Sequence, residues 1–197
     1  PGNSFATLNP AVRNTYQPIS GNLNYSWQSG TGAWGSAVGS VFANSGAFYF
    51  ETTVTCGAAF NNNYVLAGIV DATFDPMTSG YAGATANSYG WLGVALRYNN
   101  GADSAYGVAA TSGDVVMVAF NASTGKLWFG KNGTWFASGD PAADTDPAYS
   151  SIPTREYTFA VSSYSPSGNY GIHNANFGQR PFTYTPPTGF LALCQAN

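Results

Sequence analysis

The sequence predicts an all-β domain folded as an antiparallel sandwich or barrel, and three observations support this prediction. Short runs rich in β-branched and aromatic residues follow one another along the chain, with turn residues between them. Turn formers are abundant, since the 197 residues include 24 Gly and 11 Pro. Strong helix formers are scarce, because Glu, Lys and Met each occur only two times. Together these features exclude a helical bundle.

The length fits one domain, and neither a low-complexity linker nor a repeat of fixed period divides the chain. We therefore expect a single domain over residues 1–197. Because the chain begins at Pro1 rather than at Met, we expect it to be a segment or a processed form of a larger protein.

The first strong strand signals lie in the first half of the chain. Phe48–Val54 alternates in polarity, with Phe48, Phe50, Thr52 and Val54 on one face. Tyr64–Val70 is apolar on both faces, and Val115–Phe120 shows the same pattern. Such runs are typical of strands that are buried on both sides.

A three-strand meander is predicted between Gly113 and Phe136. The loop Asn121–Gly125 leads from Val115–Phe120 into the strand Lys126–Phe129. Asn132-Gly133 then favours a tight type I′ hairpin turn, because both residues readily adopt positive φ. Further strands are predicted at Tyr157–Ser162, Tyr170–Phe177 and Phe190–Cys194.

Charged residues are rare and do not cluster. They make up only 8% of the chain, against about 25% in typical globular proteins. Six Lys and Arg stand against nine Asp and Glu, which gives a net charge of −3. The cations are scattered at Arg13, Arg97, Lys126, Lys131, Arg155 and Arg180. Nucleic-acid binding needs clustered cations, so we predict no nucleic-acid partner. No apolar run is long enough for a membrane helix, so we predict no membrane insertion.

Few residues of the chain are suited to act as the general acid or base of a hydrolytic enzyme. Glu51 and Glu156 are the two glutamates, and Glu51 lacks the Glu-x-Asp context of sandwich glycosidases. The single histidine, His173, has no Gly-x-Ser-x-Gly elbow to serve and is predicted to be a surface or edge residue. Asp71 and Asp75 are predicted to cap turns. We therefore predict that the protein is not an enzyme and has no catalytic residues.

No metal or cofactor is expected. One histidine and two distant cysteines do not supply the four ligands of a structural zinc site. Asp140, Asp144 and Asp146 concentrate hard oxygen ligands in one loop, which leaves calcium as a weaker alternative. Whether Cys56 and Cys194 pair or remain free is left open by the sequence.

Several segments resemble motifs of the SPRY (B30.2-like) family. The resemblance is most specific in the meander, Gly113–Val116 through Gly125–Phe129 and Asn132-Gly133, and in the closing strand Asn176–Phe182. Further similar segments are Gly46–Glu51, Leu66–Asp71, Tyr89–Trp91 and Tyr106-Gly107. The ends of the chain, Ala6–Pro10 and Ala192–Cys194, resemble those of SPRY modules in bacteriophage structural proteins. The resemblance implies a bent sandwich of two antiparallel sheets, similar to the concanavalin A-like architecture.

The resemblance also implies binding loops at one end of the sandwich rather than an active site. We therefore expect a non-catalytic binding or structural module of a phage virion, located in the tail or on the capsid surface. Its partner would be a host surface receptor, protein or glycan, or a neighbouring virion subunit, and its location would be the virion or the extracellular space. Two alternatives stay open: an intracellular SPRY adaptor that recognises a peptide, and a lectin-like carbohydrate-binding module.

The candidate binding residues are Tyr, Asn and Asp side chains predicted to lie in loops between the strong strands. Antibody contact surfaces are rich in similar residue types, among which Tyr supplies rigid amphipathic contact area. Interface hot spots are likewise enriched in aromatic residues. The candidates are Asn61, Asn62, Asn63, Tyr64, Tyr81, Tyr98, Asn99, Asn100, Asp103 and Tyr106.

Overall fold

The computed structural model describes residues 4–13, 20–27, 32–56, 64–165 and 171–195, apart from the side chains of residues 12 and 13. Strands dominate this part of the chain, and a short 3₁₀ turn at Phe136–Ser138 is its only helical element. The strands are β1 (Leu8–Arg13), β2 (Asn24–Ser26), β3 (Ala33–Gly39), β4 (Ala47–Thr55), β5 (Val65–Asp71), β6 (Ser88–Leu92), β7 (Leu96–Asn99), β8 (Ala102–Ala105), β9 (Val115–Asn121), β10 (Lys126–Lys131), β11 (Thr134–Trp135), β12 (Tyr157–Ser165), β13 (Ile172–Asn176) and β14 (Leu191–Ala192). In these residues no helix is long and apolar enough to cross a membrane.

The strands form two sheets, which confirms the predicted antiparallel sandwich. The first sheet has the order β1-β3-β12-β5-β6-β7-β8. The second has the order β11-β10-β9-β4-β13-β2, and β14 adds to it by pairing in parallel with β4. All other strand pairs are antiparallel. Because strands that follow one another in sequence often belong to different sheets, the chain crosses between the sheets several times.

The main core lies between the two sheets and consists of alternate residues from their inner faces. Phe50 of β4 stacks on Phe159 of β12 with ring centroids 5.1 Å apart. Phe177 packs against Phe50 from the other side at 4.8 Å. Trp91 and Phe129, both buried, extend this core toward the β8 side of the sandwich. Fully burying an aromatic side chain stabilises the folded state by about 2–3 kcal/mol, so this layer dominates the stability.

Each sheet also carries apolar side chains on its outer face, which explains the strands that are apolar on both sides. In β5, Leu66 and Val70 point away from the main core and join a second cluster with Phe74 and Ala82. In β9, Met117 and Ala119 join a third cluster with Trp128 and Phe190. Both strands are therefore buried on both sides, as the sequence predicts.

The predicted elements agree closely with the observed strands. The Phe48–Val54 strand is confirmed as the centre of β4, and the Gly113–Phe136 meander as β9, β10 and β11. Asn132 and Gly133 have φ angles of 50° and 82°, as a type I′ turn requires. The predicted Phe190–Cys194 strand is shorter in the structure, where β14 has two residues. Part of the predicted Tyr170–Phe177 strand, residue 170, lies outside the described residues.

Three candidate binding residues that the sequence placed in loops lie in strands instead. Tyr98 and Asn99 belong to β7, and Asp103 belongs to β8. These strands form a hairpin closed by Asn100 and Gly101, which have φ angles of 53° and 74°. The loop prediction was wrong because these short strands lie at the edge of the sheet and carry too little apolar pattern.

Candidate functional site

The strand register brings aromatic side chains from distant parts of the chain to one outer surface of the first sheet. Trp34 of β3 lies directly opposite Tyr164 of β12. Tyr64 follows, because its carbonyl accepts a hydrogen bond from the Tyr164 N–H at 3.2 Å. Tyr98 of β7 and Tyr81 of the β5–β6 connection complete the set. We call Trp34, Tyr64, Tyr81, Tyr98 and Tyr164 the outer aromatic face.

The five rings of the outer aromatic face contact one another in tilted and edge-to-face geometry. Trp34 is the hub, with its ring centroid 4.8 Å from that of Tyr81, 5.3 Å from Tyr164 and 6.2 Å from Tyr64. Tyr64 also meets Tyr164 at 5.3 Å, and Tyr81 meets Tyr98 at 5.5 Å. Such arrangements are favourable for aromatic pairs and contribute about 0.5–1.5 kcal/mol each beyond area burial.

The rings surround an open depression with a volume of about 320 Å³. Its walls are Trp34, Tyr64, Tyr98 and Tyr164, and Leu92, which is only 2% exposed, lies at its base. All five residues of the outer aromatic face are half-buried, so each ring has one side in contact with the protein and another open to solvent. The result is a concave aromatic surface on one side of the first sheet.

The β5–β6 connection, residues 72–87, is held against the sheet by buried hydrogen bonds that position Tyr81. The Ser36 hydroxyl donates to the Gly80 carbonyl at 2.7 Å, and the Ala82 N–H donates to the Ser162 hydroxyl at 3.1 Å. Gly90 lets this segment approach closely, because a Cβ there would lie 2.2 Å from the Ala82 carbonyl oxygen. Tyr81 is therefore fixed by its neighbours on both sides rather than carried by a free loop.

Two tyrosines of this surface, Tyr81 and Tyr98, have raised pKa values. Burial raises the pKa of both Tyr81 and Tyr98 above the ordinary value for tyrosine, and the negative charge of Asp103 raises each further. Asp103 is exposed and lies opposite Tyr98 in the register of β7 and β8. Tyr81 and Tyr98 therefore present protonated hydroxyls beside the carboxylate of Asp103.

The structure brings together four of the ten candidate binding residues. Tyr64, Tyr81 and Tyr98 belong to the outer aromatic face, and Asp103 lies next to it. Asn99 serves the fold instead, because its amide donates to the carbonyls of Ala86 and Ser88. Asn100 is exposed in the turn. Asn61, Asn62 and Asn63 lie outside the described residues.

Tyr106 does not lie on this surface. Its side chain is 9% exposed and belongs to the main core, where its ring meets that of Phe136 at 6.0 Å. The Arg97 guanidinium sits over the Tyr106 ring at 5.1 Å, on the inner side of the sheet. Tyr106 is thus a packing residue, although its neighbour in the candidate set, Tyr98, is a surface residue.

Sequence reasoning missed Trp34 and Tyr164, two principal members of the outer aromatic face. A signal for Tyr164 exists, since it continues the alternation of the predicted Tyr157–Ser162 strand by two residues. Ala33–Gly39 also has a strand-like pattern that places Trp34 on the same face as Val38. Their meeting depends on β3 pairing with β12, and no local pattern encodes that pairing.

Of the carboxylates considered for catalysis, Glu51, Asp71 and Asp75 have structural roles, and Glu156 is exposed. Glu51, only 2% exposed, accepts hydrogen bonds from the Tyr49 hydroxyl, the Asn176 amide and the N–H groups of Thr183 and Tyr184. It therefore anchors the C-terminal segment to the outer face of the second sheet. Asp71 and Asp75 accept hydrogen bonds from N–H groups two residues ahead, which confirms the predicted turn capping.

His173 is fully buried, so the prediction of a surface or edge residue was wrong. It lies in β13 between β4 and β2, with its ring directed into the main core. Nε2–H donates to the Ser162 carbonyl at 3.0 Å, which leaves Nδ1 to accept from the Thr52 hydroxyl at 3.3 Å. Burial lowers the pKa of His173 to about 4, although the hydrogen bond to Ser162 acts in the opposite direction. The ring is therefore neutral at pH 7 and links the two sheets.

The structure also bears on the possible calcium site and on the possible disulfide. Asp144 pairs with Lys126 at 2.5 Å, and Asp140 accepts a hydrogen bond from the Ala143 N–H. Within the ranges given above, no group of three or more metal-ligating side chains converges. Cys56 and Cys194 are both free thiols.

Comparison with known proteins supports the fold but no more specific property of the chain. No protein-family model matches the sequence, and no curated protein does so either. The solved SPRY domain of human HERC1 is similar in structure, with a TM-score of 0.67 and 16% identity, over 88% of this chain and 99% of that one. A second human SPRY domain has a TM-score of 0.60 and 16% identity, over 86% of this chain and 100% of that one. The architecture is therefore that of the SPRY β-sandwich.

Proposed function

We propose that this chain is a non-catalytic protein-binding module and that the outer aromatic face is its contact surface. The observation that supports this proposal is the convergence of Trp34, Tyr64, Tyr98 and Tyr164 around an open aromatic depression. SPRY domains are typically protein-binding modules, which fits this reading. Fold alone does not establish function, so the proposal depends on the surface itself.

The chemistry of the surface suits a protein partner. Trp and Tyr are enriched at binding hot spots because each buries a large rigid area at a low entropic cost. The depression, at about 320 Å³, lies at the lower end of the range of ligand pockets and accommodates one or two partner side chains. The hydrogen bond from Ser36 to the Gly80 carbonyl and the one from the Ala82 N–H to Ser162 hold the surface in place before binding. A preordered surface loses less entropy on association.

The setting that we propose is a phage virion, where the module contacts a host receptor or a neighbouring virion subunit. This placement rests on the resemblance of Ala6–Pro10 and Ala192–Cys194 to the ends of SPRY modules in phage structural proteins. The two similar solved structures are human domains and fit equally well with the alternative of an adaptor that recognises a peptide. Tail or capsid genes beside this gene would support the virion setting, and their absence would favour the adaptor.

A displayed library of random twelve-residue peptides tests the binding function directly. The purified chain serves as bait, with Trp34→Ala and Tyr98→Ala as site variants and Tyr184→Ala as the matched control. Tyr184 is also half-buried, but it packs on the second sheet. We expect peptides selected on the wild type to lose about 1–2 kcal/mol of binding free energy on either site variant and none on the control. Equal binding to all four baits would overturn the proposal, and binding of glycans instead of peptides would assign the site to a lectin.

A further inference from the structure

The strand β8, Ala102–Ala105, forms an open edge of the first sheet beside the outer aromatic face. It pairs with β7 on one side, and no other strand among the described residues pairs with it on the other. All four of its residues are exposed. An edge strand carries a row of unpaired N–H and C=O groups, so it can template the addition of another strand.

The residues of β8 do little to block such an addition. Natural edges are often protected by Pro, by charged side chains, especially Lys, or by a covering segment. The sequence of β8 is Ala-Asp-Ser-Ala, which has neither Pro nor Lys, and the small side chains leave the backbone accessible. Its single charged residue is Asp103, so that residue determines which strand can be added.

Asp103 is a carboxylate without a counter-ion in the described part of the chain. Three carboxylates there, Asp71, Asp114 and Asp144, each have a cationic partner within 3.4 Å, and Asp103 is not among them. Asp103 shares the outer side of the sheet with Tyr98, which lies directly opposite it in the register. A strand added to β8 would place one residue directly across from Asp103, and opposite charges stabilise such cross-strand pairs.

A second copy of this chain is a poor occupant of this edge. Two-fold pairing of β8 with itself, in a register centred on Asp103, sets the two carboxylates directly opposite each other. A register centred on Ser104 sets them at diagonal positions, still within about 7–8 Å. Like charges at these positions are destabilising, and each copy also has a net charge of −3.

We propose that β8 is a strand-addition site for an extended, basic segment of a partner protein, with a Lys or Arg of that segment opposite Asp103. The inference rests on the proposed function and specifies how the partner binds. The Tyr98 ring, with Tyr81 behind it at 5.5 Å, lies on the same side and gives the partner's cation an aromatic surface. The aliphatic stem of Lys or the guanidinium of Arg packs on such rings.

The edge leads into a partly apolar hollow that extends the proposed site. Beyond Ala105 the chain borders an open hollow of about 700 Å³, whose apolar walls include Val108, Trp135 and Phe136. Lys131 also lines the hollow, and its charge is paired with Asp114 at 2.9 Å. Val108 is 58% exposed, which is unusual for an aliphatic side chain in this protein. A segment that continues past Ala105 would bury an apolar side chain there. The occupant is thus a basic extended segment with an apolar residue near one end.

The peptide library distinguishes this mode of binding when Asp103→Lys is used as a second bait. We expect Lys and Arg to be enriched in peptides selected on the wild type, and Asp and Glu in those selected on Asp103→Lys. Peptides from the wild-type selection should bind Asp103→Lys at least fivefold more weakly and Asp103→Asn about two- to fivefold more weakly. Asp103 is exposed, so neither variant should lower the melting temperature appreciably.

Amide hydrogen exchange locates the bound peptide on the full chain. We expect the selected basic peptide to slow exchange at residues 102–105, and a version N-methylated at alternate amides to lose this effect. The inference would be overturned by peptides that depend on Tyr98 but bind Asp103→Lys normally. It would also be overturned if the bound peptide left amide exchange in β8 unchanged. Either result would leave the proposed function standing. If no peptide is enriched on the wild type, both fail.

Discussion

Two tyrosines eight residues apart, Tyr98 and Tyr106, show how the side of a sheet determines what a residue does. Tyr98 is half-buried on the outer side and contacts Tyr81. Tyr106 is buried on the inner side, where the Trp91 indole donates to its carbonyl at 2.8 Å. Residue type does not distinguish the two, but Tyr98 contributes to a surface and Tyr106 to the core.

Replacing each tyrosine by alanine should therefore have opposite effects. Tyr98→Ala should weaken binding of selected peptides by about 1–2 kcal/mol and lower the free energy of unfolding by only about 1 kcal/mol, because it loses one ring pair and no core packing. Tyr106→Ala should lower the free energy of unfolding by about 3–5 kcal/mol, because it leaves a cavity in the main core. Denaturant unfolding and peptide titration of both variants check this. A stability loss that is equal in both would place Tyr98 in the core as well.

Glu51 is the residue whose substitution separates structure from catalysis most directly. Its carboxylate accepts four hydrogen bonds and fixes Thr183 and Tyr184 against the second sheet. Glu51→Gln removes the charge and turns an NH₂ group toward a donor, so we expect a loss of about 2–3 kcal/mol in the free energy of unfolding. Polysaccharide hydrolysis that occurs in the wild type and vanishes in Glu51→Gln would contradict a purely structural role. Thermal unfolding and a hydrolysis assay together decide the point.

At the scale of elements, the two Asn-Gly hairpins show what sequence pattern can and cannot predict. Asn132-Gly133 was predictable because strong apolar strands flank it, and the structure confirms the turn. Asn100-Gly101 carries the same turn signal, but its flanking strands β7 and β8 have little apolar content. Their exposure weakens the alternation that normally identifies a strand. The same exposure makes β8 available to a partner.

The packing of the residue 72–87 segment on β6 gives a prediction at this scale. A Cβ at Gly90 would lie 2.2 Å from the Ala82 carbonyl oxygen and 2.6 Å from a Leu66 methyl group. Gly90→Ala should therefore push this segment outward, displace Tyr81 and weaken peptide binding, with a stability loss of about 1–3 kcal/mol.

Gly125→Ala is the matched control for Gly90→Ala, because its Cβ would lie 2.4 Å from the Ile152 carbonyl oxygen, at the turn between β9 and β10 of the second sheet. It should reduce stability to a similar extent without affecting peptide affinity. Isothermal titration of both variants with a selected peptide measures the difference. Equal affinities would show that the position of Tyr81 does not depend on the close approach at Gly90.

For the whole molecule, the fold was largely predictable and the site only in part. The sandwich could be predicted from local patterns. The sequences of β4, β5 and β9 are recognisable as strands because they alternate in polarity or are apolar on both faces. The outer aromatic face depends instead on long-range register, which sets Trp34 opposite Tyr164. Tyr64, Tyr81 and Tyr98 could be named as candidates because they are tyrosines at or between the strong predicted strands, but nothing local distinguishes them from the buried Tyr106.

The two sheets are also coupled by a buried titratable group, which makes the stability of the whole molecule depend on pH. Burial lowers the pKa of His173 to about 4 in the folded protein, while an unfolded chain has the ordinary value of 6.5. Between these values the unfolded state binds more protons, so the free energy of unfolding falls as the pH is lowered from about 6.5 to about 4. The difference corresponds to a total loss of roughly 3 kcal/mol, with no change expected above pH 7.5 from this group.

Urea unfolding at pH 4.5, 5.5, 6.5 and 7.5 measures this slope, and His173→Gln supplies the control. Glutamine can donate to the Ser162 carbonyl and accept from the Thr52 hydroxyl but does not titrate, so it should fold with lower stability and a flatter pH profile. Asp114 does not interfere: its partial burial is outweighed by hydrogen bonds from Lys131, Thr111 and Asn132, which lower its pKa to about 2. The stability that Asp114 provides is complete above its unfolded pKa of 3.8 and is lost only below that value. An unchanged slope in His173→Gln would show that some other group links protonation to the opening of the sandwich.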